Sequence, residues 1–131
     1  MSNATHEKVL SLLAATIFAD HRVYSSEITV FVRAASRLDV IHKARPNLSE
    51  AKLLVWYEEN KEHIKGKMTA PYFKDWFYDI LEKLSDVEDK RPILAAMKDI
   101  SRADSEIHVS ERALFTLAAR HWGLNETFTQ T

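Results

Sequence analysis

Apolar residues recur every three or four positions along almost the whole chain, and that spacing restricts the fold to packed helices. Val9, Leu10, Leu13, Ala14 and Ile17 line one face of a helix over residues 5–20. Val30, Phe31, Ala34, Ala35, Leu38 and Ile41 do the same over residues 25–43. Arg45, Pro46 and Asn47 interrupt the pattern. Asn47 with Glu50 three residues on reads as a capping box opening a third helix, which Gly66 is expected to close. A fourth helix is expected to start near Thr69 or Ala70, with Pro71 in its first turn and a stripe of Phe73, Trp76, Phe77, Ile80, Leu81 and Leu84. After a polar turn over residues 85–90, Pro92 stands early in a fifth helix carrying Ile93, Leu94, Met97 and Ile100. Leu114, Leu117, Ala118 and Trp122 mark a sixth, ended by Gly123, and residues 125–131 read as a tail. Strand-like alternation is never sustained. The expectation is all-α: a single-domain helical bundle of about six helices over residues 1–131, with its core at about 5–124.

Composition narrows the chemistry. A chain of 131 residues is long enough to bury a sizeable core without a covalent staple, and it contains no Cys, so disulfides, thiol nucleophiles and Cys-ligated metals are excluded. Gly66 and Gly123 are its only glycines, too few and too scattered for a phosphate-cradling loop or a dinucleotide-binding turn. Eighteen Lys and Arg against 19 Asp and Glu leave a net charge of -1, which argues against nucleic acid as a partner. The polar start over residues 1–8 and the lack of a long apolar run predict a cytoplasmic protein without direct membrane insertion.

The chain also repeats itself. Shifted by 84 residues, segment 19–40 lies over segment 103–124, with identities at Ala19/Ala103, Asp20/Asp104, Ser26/Ser110, Glu27/Glu111, Phe31/Phe115, Ala34/Ala118 and Ala35/Ala119. Each copy reads as a helix ending in Ala-Asp, a short linker with one branched apolar residue, and a second helix opened by Ser-Glu. Two related helix-turn-helix hairpins follow. The repeated apolar positions are core; the repeated Asp and Glu are exposed-type residues held at constant spacing.

The segments Asp20-His-Arg-Val-Tyr-Ser-Ser-Glu27 and Asp104-Ser-Glu-Ile-His-Val-Ser-Glu111 resemble the Ala-Asp-Gly-x-apolar-x-x-x-Glu elements of TerB-like domains. These are the helical domains of tellurite-resistance TerB proteins and of the membrane-proximal region of some J-domain co-chaperones. His21 and Ser105 stand where the family usually has Gly. The resemblance implies a role in tellurite or other chemical-stress resistance or in phage defence, complexes with protein partners, no catalytic activity, and a divalent-metal role for the acidic residues. Only Asp20, Glu27, Asp104 and Glu111 carry over.

Two accounts of these four residues stand side by side. In one they supply hard oxygen ligands to Ca²⁺, Mg²⁺ or Mn²⁺, and the cation relieves the repulsion among gathered carboxylates. In the other, Glu27 and Glu111 complement helix N-termini while Asp20 and Asp104 bind turn amides. Asp104, His108 and Glu111 suggest a transition-metal group, although His108 aligns with Tyr24, so a solvated or capping histidine is the simpler reading. Glu59 and His63 belong to a solvated charged face. Phe73, Trp76 and Phe77 read as core, leaving Tyr72 and Tyr78 at the edge as part of an apolar partner surface; Trp56 and Tyr57 share that ambiguity. No serine lies in a nucleophile motif.

The functional expectation is a non-enzymatic stress-response module with no catalytic residues. It binds a divalent cation through Asp20, Glu27, Asp104 and Glu111, and docks a protein partner or a second copy of itself. A metal-free interaction module and a small metal-dependent hydrolase are the alternatives.

Overall fold

The computed structural model describes residues 4–19, 25–103 and 109–124. The described residues form seven helices and no strand: α1 (Ala4–Ile17), α2 (Ser25–Arg37), α3 (Asp39–Ala44), α4 (Glu50–Thr69), α5 (Phe73–Lys83), α6 (Arg91–Ser101) and α7 (Val109–His121). The expected all-α bundle is present, while the tail over residues 125–131 lies outside the described residues. None of these helices is long and apolar enough to cross a membrane.

The bundle is organised around α1. Val9, Leu10, Leu12, Leu13, Ala14, Ala15 and Ile17 are all 0 % exposed, so from Leu12 onward the helix is buried all round rather than on the single stripe that periodicity suggests, while Glu7, Lys8 and Ser11 stay half-buried. It packs against each of the other six helices. Thr16, equally buried, donates its hydroxyl to the Leu12 carbonyl at 3.2 Å, which satisfies a side chain that would otherwise be costly there.

Four boundaries depart from the sequence expectation. The expected second helix is two, because Leu38 adopts an extended backbone (φ -74°, ψ 129°) between α2 and α3. That bend lets the buried Leu38 and Ile41 follow the surface of α1, which both short helices contact. Ser49, not Asn47, caps α4: its Oγ accepts from the Lys52 amide at 3.3 Å. Gly66 does not end α4, which runs 20 residues to Thr69. The stop comes from Pro71, which disfavours helical backbone at the preceding Ala70 (φ -76°, ψ 152°). Pro71 accordingly precedes α5 rather than joining its first turn.

The last helix ends as expected. Gly123 takes φ +69°; its amide donates to the Arg120 carbonyl at 3.0 Å, and the Leu124 amide reaches back to Ala119 at 2.9 Å, a Schellman closure. The Trp122 indole N–H donates to the Leu81 carbonyl at 2.9 Å and pins this end of α7 to α5.

The two glycines should therefore respond oppositely to Ala. Gly66, inside α4 with nothing within 4 Å of an added Cβ, should gain roughly 0.5–1 kcal/mol. Gly123→Ala should lose about 1 kcal/mol through its left-handed backbone. Leu13→Ala, at the centre of α1, should cost about 2–5 kcal/mol. Urea unfolding of the three variants checks these signs.

Candidate functional site

Each repeated element joins the end of one core helix to the first turn of the next. In the first, α1 leads into α2; in the second, α6 leads into α7. Glu27 and Glu111 occupy the same place, the third residue of their helices, where a carboxylate complements the N-terminal dipole.

Both glutamates are 0 % exposed. Their class suggested solvent-facing side chains, and the structure corrects that expectation. The signal lay in the spacing: four residues after each glutamate comes a phenylalanine and four further an alanine, all on one helical face. Phe31 and Ala35 on α2, like Phe115 and Ala119 on α7, are buried at 2 % exposure or less. The glutamates thus point inward with the core residues. A carboxylate without exposed surface needs a compensating donor, cation or proton, so the same demand is built into both elements.

The surroundings differ. Glu27 lies within electrostatic reach of Tyr57 on α4, whose ring contacts Phe18 and Phe31 at centroid distances of 6.1 and 6.0 Å. Burial first, then the charges of Glu58, Glu27 and Glu62, push the Tyr57 hydroxyl up to about 12. Around the second element, the Lys98 ammonium of α6 sits 5.2 Å from the Phe115 ring centroid, one helical turn beyond Glu111.

Asp20 and Asp104, the other two expected ligands, lie outside the described residues, as do His21 and His108. Among the described residues no group of three His, Asp or Glu side chains could hold a metal ion. Nor do α2 and α7 pack on each other there; both pack on α1 and α6.

The other candidates are plainly placed. Glu59 and His63 are exposed, and the Lys61 ammonium donates to Glu58 Oε1 at 2.6 Å on the same solvated stretch. That bond holds the Lys61 ammonium above its usual value. Phe77 is fully buried and Phe73 and Trp76 half-buried, whereas Tyr72 and Tyr78 are exposed. Trp56 is half-buried and Tyr57 belongs to the core. Sequence reasoning did not single out His6. It is 4 % exposed at the start of α1, where no hydrophobic pattern marks a buried histidine.

Tyr57 gives the alkaline stability a defined shape. Its unfolded value is 10 and its folded value about 12, so the unfolded chain releases this proton first. The stabilisation is complete below pH 10 and is lost as pH rises through about 12. Tyr57→Phe should flatten that decline in urea unfolding measured across this window, with little change near neutrality.

The family model for Tellurite resistance protein TerB matches residues 6–130. Comparison with curated proteins and with solved structures gives no match. The match spans both Asp/Glu elements and all but the first two residues of the helical core described above, and the chain belongs to the TerB family.

Proposed function

We propose that this chain is a binding module of the stress-response type, without catalysis of its own, whose two Asp/Glu elements bind a divalent cation. Asp20 with Glu27, and Asp104 with Glu111, supply carboxylate oxygens of the kind that Ca²⁺, Mg²⁺ or Mn²⁺ prefers. The supporting observation is the identical burial of Glu27 and Glu111 at equivalent positions of the repeat. A bound cation offsets the cost of each buried carboxylate.

In this reading the cation sets the relative placement of the helices that flank each loop, and a protein partner recognises the resulting surface. Large apolar side chains are available for such contact: Leu54 and Val55 on α4, and Tyr72 and Tyr78 beside or on α5, are 37–55 % exposed. Metal-free helix capping is the competing account, favoured by the first-turn position of both glutamates.

Thermal unfolding of chelator-stripped protein against Mg²⁺, Ca²⁺, Mn²⁺ and Zn²⁺ separates the two. Cation binding predicts a selective, saturable rise worth about 2.7 kcal/mol at a hundredfold excess over Kd. The Asp20→Asn/Asp104→Asn double variant should lose that rise. Capping predicts no response to any ion and a loss of about 1 kcal/mol for each cap removed.

A further inference from the structure

The longest helix presents one face that the bundle leaves uncovered. On α4, Leu53, Tyr57, Ile64 and Met68 are buried on the core side. Lys52, Val55 and Glu59 lie on the opposite side, within a sector of about 60° at 100° per residue, and all three are exposed. Val55, at 55 %, is the most exposed large apolar side chain among the described residues. Beside it lies a concavity of about 390 Å³ between α4 and α1, whose walls include Glu7, Leu10, Leu48 and Trp56. The Trp56 ring is held in place there, because its indole N–H donates to Glu7 Oε1 at 3.0 Å.

The charges on this face are arranged antisymmetrically. Lys52 stands one turn before Val55 and Trp56, and Glu59 one turn after them. Neither Lys52 nor Glu59 meets an opposite charge among the described residues, whereas Glu58 and Lys61 beside them pair with each other at 2.6 Å. Reversing the helix about the midpoint of residues 55 and 56 exchanges positions 52 and 59, and with them the signs of the two charges. Such a face is complementary to itself. A two-fold contact between antiparallel α4 helices sets Lys52 of each copy against Glu59 of the other, and Val55 of each against Trp56 of the other. A parallel contact would set Lys52 on Lys52 and Glu59 on Glu59. The sign pattern thus selects the antiparallel orientation, which opposed helix dipoles also favour.

We propose that this chain pairs with a second copy of itself through α4, as an antiparallel two-fold dimer. Two Lys52–Glu59 ion pairs flank a centre in which Val55 of each copy packs on Trp56 of the other. Burial of Val55 and of the apolar part of the concavity supplies the attraction, while the ion pairs, weak in themselves, fix the register. One helix face is small for an interface, so the dimer is weak and depends on concentration. The inference does not depend on the cation reading of the Asp/Glu elements, which join other helices.

The test is sedimentation equilibrium of the full chain from about 10 µM to about 1 mM, the range that suits a small interface. The unmodified chain should pass from monomer to dimer across it. Lys52→Glu and Glu59→Lys should each raise the dimer Kd at least about tenfold, since each turns two attractions into two like-charge contacts. Both variants keep the fold: position 52 lies in the first turn of α4, where a carboxylate is favourable, and position 59 is exposed. An equimolar mixture of the two should dimerise again, because every pair then joins opposite charges. The chain has no thiol of its own, so Val55→Cys adds a single one beside the two-fold axis and should give a disulfide-linked dimer on mild oxidation. Glu62→Cys, about 20 Å from its counterpart along the helices, should not. A monomer at every concentration would leave this face to a different partner and overturn the proposal. So would charge variants that associate as the unmodified chain does, or a mixture of them that stays monomeric.

Discussion

Burial of the second half of α1 on every side is the constraint from which the other helices take their places. Its five large aliphatic residues at 0 % exposure, Val9, Leu10, Leu12, Leu13 and Ile17, each contribute on the order of 2 kcal/mol of transfer free energy. The summed burial is comparable to the whole net stability of an ordinary domain. A stretch of helix without a solvent face, as from Leu12 to Ile17, can be covered only by neighbours around its full circumference, and α2 to α7 all pack on α1. The bend at Leu38 and the length of α4 are consequences, since short helices must turn to follow a cylinder and a long one can flank it.

The two Asp/Glu elements inherit their burial from this arrangement. Each connects a helix of the central packing to one laid against it, α1 to α2 and α6 to α7. The first turn of the outer helix is consequently directed at the core, and the glutamate there is carried inside with the phenylalanine below it. Two buried carboxylates at the same helical position carry the same cost. That shared cost, rather than acidity as such, makes these positions candidates for function.

Much of the fold was legible because periodic burial leaves a periodic record. The stripes of α5, α6 and α7 and the stop at Gly123 could all be read from local pattern, each being set by residues within a turn or two. The errors have different causes. Leu38 and Ile41 keep a helical spacing across a break that their local residues do not encode, since the break serves contacts with α1. Asn47 and Ser49 are both competent caps, and the difference between them lies in where the preceding loop releases the chain. Gly66 is a weak stop inside a strong helix, whereas Pro71 is a steric one.

Sequence alone determined the helical class, the repeated Asp/Glu spacing, the family-type acidic motif and the absence of thiol chemistry, because each depends on residue type and spacing along one chain. Tertiary structure decided which side of each helix faces protein. It put Glu27 and Glu111 in the interior, gave Tyr57 its buried hydroxyl, and closed His6 and Trp56 into a cleft with Lys52 and Glu59. Glu7 and Trp56 are joined across 49 positions of sequence, and no local periodicity records such a meeting. Burial belongs to the packed molecule: helices distant in sequence, not neighbours along the chain, remove the water from a carboxylate or an imidazole.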